Sequence, residues 1–178
     1  MYLINYTKRL YWRYIATPEK YARHIGVKIG KGCFISTRDW STEPYLVSIG
    51  DFCQITRGVK IFTHGGGQAV RNIIPDFDCF GKVTIGNYVY IGNDALIMPG
   101  ITICDNVLVA AGSVVTKSIP AGVVVGGNPA RIICSIDEYL RKNLQYNTAT
   151  KGMTRSQKKK VLLTIDSSKF VKKPFLEK

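Results

Sequence analysis

The sequence predicts an all-β fold: a parallel β-helix of hexapeptide repeats with helical N- and C-terminal flanks and one extended loop. Three observations carry this. From residue 85 an aliphatic side chain recurs every six positions, at Ile85, Ile91, Ile97, Ile103, Val109 and Val115. Four residues after each stands a second inward residue: Val89, Ala95, Ile101, Val107, Ser113 and Ile119. The residue directly after the aliphatic is small or tight-turning in most repeats, as at Gly86, Gly92, Cys104 and Ala110. A helix repeats its apolar residues at three and four and a strand at two, so neither produces a six. A strict six describes short flat faces wound into a triangular prism.

The elements follow in chain order. Residues 1–28 read as a helical flank, with Thr17 as N-cap, Pro18 at the first helical position and Gly26 at the end. Upstream, Leu10, Tyr11, Tyr14 and Ile15 fall at helical spacings and suggest an apolar stripe. The β-helix occupies 29–134. Ile49, Ile55 and Ile61 are in phase with Ile85, whereas Ile29 and Ile35 are not, since Ile49 follows Ile29 by 20 residues. The extra residues are placed in Ser41–Tyr45, around Glu43-Pro44. Between Thr63 and Lys82 the phase survives but the pattern does not. Gly65-Gly66-Gly67 and Asp76-Phe77-Asp78 there mark a loop over 65–81. The register is expected to stop after Ile133. Ser135-Ile136-Asp137-Glu138 then opens a helix that would cover the coil's end, and Thr154-Arg155-Ser156-Gln157 is a capping box in the 135–178 extension.

A chain of 178 residues is one domain's worth, and it contains no apolar run of the ~20 residues a membrane span needs. With no signal-peptide pattern either, a cytoplasmic protein is expected. None of the five cysteines forms a CxxC pair, and Cys33 and Cys53 fall on inward positions, which argues against a disulfide or metal framework. The net charge of +13 divides as +5 over 1–28, +1 over 29–134 and +7 over 135–178. The basicity therefore belongs to the flanks. It suits a solvated helix face or contact with an anionic membrane surface, and does not indicate specific nucleic-acid recognition.

Histidine occurs only at 24 and 64. His24, at the end of the expected helix, reads as structural. His64 closes Ile61-Phe62-Thr63-His64 and opens the glycine-rich loop, which puts it at a coil corner beside an irregular segment. Loops held by a rigid scaffold concentrate functional groups, and a neutral imidazole is suited to taking a proton near neutral pH.

The run Val83-Thr84-Ile85-Gly86, Tyr90-Ile91-Gly92, Ile97-Met98-Pro99-Gly100-Ile101-Thr102-Ile103 and Ala111-Gly112-Ser113-Val114-Val115-Thr116-Lys117 resembles the hexapeptide-repeat O-acetyltransferases. So does its close, Ile119-Pro120 and Gly126-Gly127-Asn128-Pro129-Ala130-Arg131. The branch resembled contains galactoside, maltose and streptogramin acetyltransferases. The N-terminal half, with Thr17-Pro18-Glu19-Lys20-Tyr21 and Glu43-Pro44-Tyr45-Leu46-Val47, looks more like acetyltransferases of surface-polysaccharide synthesis. The specific motifs cover about residues 45–133.

The resemblance implies a left-handed coil, against the usual right-handed crossover, and a homotrimer with active sites between subunits. It implies acetyl-CoA as donor and a sugar hydroxyl, in a capsule, O-antigen or exopolysaccharide precursor, as acceptor. His64 matches the family's general base, and the backbone N–H of Asn93 matches its oxyanion donor. Tyr90, where relatives often have Trp, and Gly92 and Asn93 flank the cofactor. Ala111 matches the position whose amide meets the pantetheine arm, Thr116 and Lys117 the adenosine end, and Arg131 a phosphate contact. Cys134 stands where some relatives carry a second basic residue. No carboxylate adjoins His64 in sequence, so an orienting acid would have to be Asp39, Asp76 or Asp78. Asp39 and Asp78 are also the candidates for acceptor contact. No metal is implied: two histidines are too few for the three-histidine zinc site of the γ-type carbonic anhydrases, which share the coil. The remaining alternatives are an antibiotic or amino-sugar acceptor, and a non-catalytic scaffold that binds anionic surfaces through its basic flanks.

Overall fold

The computed structural model describes residues 10–175. The first nine residues of the 1–28 flank and the last three of the 135–178 extension lie outside the described residues. The chain divides into two compact units, one up to Ile136 and one from Asp137 onward.

In the first unit the six-residue register becomes three strands per turn of chain. The opening coil contains β1 (Lys28–Ile29), β2 (Phe34–Ile35) and β3 (Asp39–Trp40), and the second β4 (Val47–Ile49), β5 (Gln54–Ile55) and β6 (Lys60–Ile61). The third has β7 (Val83–Ile85), β8 (Tyr90–Ile91) and β9 (Leu96–Ile97), and the fourth β10 (Thr102–Ile103), β11 (Leu108–Val109) and β12 (Val114–Val115). Each strand pairs in parallel with its counterpart in the next coil, which gives three flat sheets: β1-β4-β7-β10, β2-β5-β8-β11 and β3-β6-β9-β12. The aliphatics stack in register, Ile49 on Ile85 on Ile103, and Ile55 on Ile91 on Val109. All of these are buried, as are the second inward residues Val89, Ala95, Ile101, Val107 and Ser113; Ile119 is buried too, but it pairs with Ile103 and so takes the aliphatic place rather than the second inward one expected. The expected β-helix of hexapeptide repeats is thus the architecture seen, with helices added at its flanks.

The small residue after each aliphatic is explained by the corner it turns. A Cβ on Gly30, Gly50 or Gly86 would come within 3 Å of the backbone of the next coil. Side chains there would push the coils apart. The same corner is pinned by a ladder of side-chain acceptors. Lys31 N–H donates to Asp51, Asp51 N–H to the Asn87 amide oxygen at 2.8 Å, and Asn87 N–H to Asp105 at 2.7 Å. That last bond, with the Asn87 side chain, holds the Asp105 carboxyl below its ordinary pKa.

Three features depart from the register. The 20-residue first coil is not a simple insertion: Ile35 to Trp40 is one residue short of six, and the stretch from Trp40 to Ile49 is three longer, as the pairings Trp40–Ile61 and Ile49–Ile85 show. The added length forms the 3₁₀ turn Pro44–Leu46, within the span expected to hold it. At the other end the hexapeptide register stops at Val125 rather than after Ile133. Here β13 (Val123–Gly127) adds to β11, and β14 (Ala130–Ser135) turns back antiparallel onto it. Ile132 and Ile133 are exposed outer residues of this hairpin, although they look like another repeat in the sequence. Third, the N-terminal aromatics form no apolar stripe. Tyr11–Ile15 is a π-helical turn whose inward ring is Trp12, stacked on His24 at 3.9 Å, while Tyr11, Tyr14 and Ile15 are exposed. Stacking gives His24 its structural role.

Helix α1 (Pro18–His24) starts where expected, with the Thr17 hydroxyl accepting from Lys20 N–H, and Gly26 follows it at φ +106°. Ala22 is fully buried against the β-helix core, so the helix seals that end of the barrel. The second unit holds α2 (Ile136–Asn143) and α3 (Arg155–Thr164), the latter opened by the expected Thr154–Gln157 capping box.

Ile91 has no exposed surface and lies at the centre of the longest sheet. Ile91→Ala is expected to cost about 2–5 kcal/mol by lost burial and cavity formation, measured as a shift in the chemical denaturation midpoint at constant slope.

Candidate active site at the coil corner

His64 follows β6 at the corner between the β6 and β7 faces, where the loop leaves. The loop's neck is closed by an antiparallel bridge between His64 and Phe80 and by Gly81 N–H donating to Thr63 O at 2.7 Å. The imidazole therefore stands on a fixed corner with about a third of its surface open. One face lies against the Phe80 ring, centroids 5.5 Å apart.

The carboxylate that orients it is Glu43. Its Oε2 is 2.8 Å from His64 Nδ1, and the Ser41 hydroxyl is 3.5 Å from the same nitrogen. The same carboxylate accepts from the Thr42 hydroxyl at 2.6 Å and the Thr63 hydroxyl at 2.7 Å. These two hydroxyls, in that order, and then His64 hold the Glu43 carboxyl below its ordinary pKa. An ionised carboxylate has no proton to give, so Nδ1 is the donor. In the neutral imidazole that leaves the lone pair on Nε2. The corner thus presents a base whose tautomer is fixed by a neighbouring anion.

This corrects the set of three aspartates from which an orienting acid was expected. Asp39 sits on β3 with its side chain outward, paired in register with Lys60, in a cleft of about 500 Å³ with Arg13, Tyr21 and Trp40. Asp78 caps Cys79 N–H and lies 4.0 Å from Arg71, and Asp76 is exposed in the loop. None of the three contacts His64 in the described structure. The signal for Glu43 was present in the sequence: it lies in the residues added to the first coil, the one segment free to reach over the next corner.

The cofactor candidates fall into two groups. Lys117 and Arg131 line one groove of about 400 Å³, together with Ser118, Pro120 and Ile132. Neither cation enters an ion pair among the described residues. Thr116 directly precedes Lys117 on this corner, exposed to solvent. In coil order this is the corner of His64: β6 pairs with β9 and β9 with β12. Thr116 and Lys117 therefore stand two coil steps away, ~9–10 Å at ordinary strand spacing. Tyr90, Gly92, Asn93 and Ala111 occupy the preceding corner, between the β8 and β9 faces. There Gly92 packs so closely on the next coil that a Cβ would lie 2.5 Å from Ala111 N, and Gly112 N–H donates to Asn93 O at 2.8 Å. The two groups lie on different corners of one chain.

The family pattern described as "Bacterial transferase hexapeptide (six repeats)" matches residues 82–117. Over 145 residues the chain is 46% identical to Protein CapG of Staphylococcus aureus, a match spanning 79% of this chain and 84% of that one. Over 129 residues it is 32% identical to the putative colanic acid biosynthesis acetyltransferase WcaF of Escherichia coli K12, spanning 62% of this chain and 70% of that protein. Among solved structures, a maltose O-acetyltransferase from Clostridium difficile 630 superimposes with a TM-score of 0.50 at 29% identity, over 66% of this chain and 73% of that one.

The depressed Glu43 carboxyl makes a stability prediction. A carboxyl whose folded pKa lies below its unfolded value stabilises the fold above the unfolded value, about 4.5 here, and loses that contribution as pH falls through the folded one. The Tm gap between the wild type and Glu43→Gln should be full at neutral pH and should close as the pH is lowered below about 4.5.

Proposed function

This chain belongs to the bacterial hexapeptide transferase family and is an acyltransferase, and we propose that it moves an acetyl group from acetyl-CoA to a sugar hydroxyl in surface-polysaccharide synthesis. The observation that carries the chemistry is the Glu43–His64 pair on the loop-bearing corner. Similarity to the putative colanic acid biosynthesis acetyltransferase WcaF and to the maltose O-acetyltransferase supports the acceptor class.

In this reading Nε2 of His64 removes the proton of the acceptor hydroxyl as that oxygen attacks the thioester carbonyl. The new C–O bond forms, the C–S bond breaks, and the proton carried on the imidazolium passes to the departing thiolate. Glu43 stabilises the imidazolium and holds the ring's tautomer, which makes it a positioning residue. The oxyanion of the tetrahedral intermediate takes the Asn93 backbone N–H. Lys117 and Arg131 receive the phosphates of the donor, with Thr116 beside them. Gly92 and Ala111 line its arm, where small side chains let an extended ligand lie along the backbone, and the Tyr90 ring lies beside it. Asp39 and the loop residue Asp78 remain the acceptor-side candidates. Because the two groups occupy different corners, a complete site takes one corner from each of two copies. A left-handed coil assembled as a homotrimer, with sites between subunits, meets that requirement.

The direct test is calorimetric titration with acetyl-CoA at two salt concentrations. Saturable binding near one site per subunit is expected, weakened about tenfold by Lys117→Ala or Arg131→Ala, roughly the 1.4 kcal/mol of one charged contact. No binding at millimolar donor would favour a non-catalytic scaffold instead. His64→Ala should remove the ~10²–10⁴-fold that base catalysis supplies while leaving donor binding and folding intact. Retained turnover would remove His64 as the base. Glu43→Gln should lower kcat at least about tenfold with the donor KM unchanged.

A further inference from the structure

The C-terminal unit builds no interior of its own. None of its described residues is buried, and Leu163 and Phe175 are 75% and 98% exposed. Its helices are held instead by local bonds: the Thr154–Gln157 capping box, and the Asp166 carboxylate accepting Ser168 N–H. A segment with this much open apolar surface gains little from folding against itself.

The charges around that surface are of one sign. Between Lys151 and Lys173 the sequence has eight Lys and Arg residues against Asp166 alone. Arg155 lies in the first turn of α3 and Lys158, Lys159 and Lys160 in its middle, all exposed, with no acidic residue in the first turn. A cation in the first turn opposes the helix dipole, so the placement of Arg155 does not serve the helix's own stability. It is offset when an anionic surface lies alongside. Beyond the lysines come Val161-Leu162-Leu163, and beyond those Phe170 and Phe175 among further lysines.

We propose that the C-terminal unit is a docking surface for anionic lipid bilayers, with Lys158–Lys160 at the headgroups and Leu163, Phe170 and Phe175 inserted at the interface. Charge complementarity selects this occupant. A second copy of the unit would bring like charges together. A nucleic acid or a free acidic polysaccharide would satisfy the lysines but leave the aliphatic Leu163 in water. A lipid surface takes both, since polybasic segments are drawn to it electrostatically and apolar side chains add partition energy at the acyl boundary.

The test is co-sedimentation of the full chain with vesicles of phosphatidylcholine and phosphatidylglycerol, against pure phosphatidylcholine, at low and physiological salt. Binding is expected to the mixed vesicles only, and to weaken as salt rises. Lys158→Glu/Lys159→Glu/Lys160→Glu should weaken it at least about tenfold. Phe170→Ser/Phe175→Ser should weaken it severalfold without changing the salt dependence, and the milder Lys158→Gln/Lys159→Gln/Lys160→Gln guards against misfolding in the charge reversal. The proposal is overturned by no binding to mixed vesicles, by equal binding to neutral ones, or by binding that these variants leave unchanged. Full competition by inorganic phosphate, or stronger binding to duplex DNA at matched charge, would overturn it as well. None of these outcomes depends on acetyl transfer, so failure here and failure of the catalytic reading remain separate.

Discussion

A strand of two or three residues cannot satisfy its backbone alone, so in this β-helix each face is held by the coil that returns to it. Gly50 N–H reaches Ile85 O, Gly86 N–H reaches Ile103 O, and Gly92 N–H reaches Val109 O, all at 2.8 Å. Burial follows the same rule, because the aliphatic of one coil covers the aliphatic of the next. Any change in length on one side must be recovered before the next aliphatic arrives, or every later residue changes face. The first coil meets this demand by losing one residue before Trp40 and gaining three after it. The second meets it by closing its loop at the neck, through Thr63 and Gly81.

The chemistry is concentrated where the register is relaxed. A regular corner uses its side chains on the backbone of the neighbouring coil, as Asp51, Asn87 and Asp105 do. The lengthened turn of the first coil differs, and its extra residues carry Ser41 and Glu43 over to the imidazole of the coil above. The loop in turn leaves His64 open on the side that Glu43 does not cover. The imidazole, the carboxylate beside it and the opening thus derive from two adjacent irregularities, set in register by the strands β3 and β6 between them.

This explains which features could be read from the sequence. The aliphatic every six residues is a local pattern with one physical cause, so the coil, its faces and its buried residues follow from it directly. His64, the loop and Lys117 sit at countable positions in that pattern, whereas Arg131, on β14 beyond its end, is reached only through the family resemblance. Glu43 does not, because its partner is 21 residues away across a break in phase. Asp39 looked better by register alone, but a residue on a strand alternates in direction, and its position points away from the core. Ile132 and Ile133 misled for a related reason: their spacing matches another repeat, while the reversal at Gly127–Ala130 that turns them outward depends on pairing with β13. The exposed Tyr11, Tyr14 and Ile15 follow from Trp12 taking the one inward position, by stacking on a histidine that no periodicity identifies.

The use of charge within the first unit separates structural from functional groups. Its carboxylates are largely engaged: Asp51 and Asp105 accept backbone N–H groups along one corner, and Glu43 serves two threonines and His64. Its arginines near the N-terminus are engaged too. Arg23 bonds Glu19 and the Gly30 carbonyl, and Arg38 donates to the Trp12 and Ala16 carbonyls while lying over the Tyr21 ring. Lys117 and Arg131 differ in being two cations brought to one groove that no carboxylate lines. Placing like charges together costs electrostatic energy that the rest of the coil avoids. An anionic group from outside would balance the two, and the groove lies on the same corner as His64.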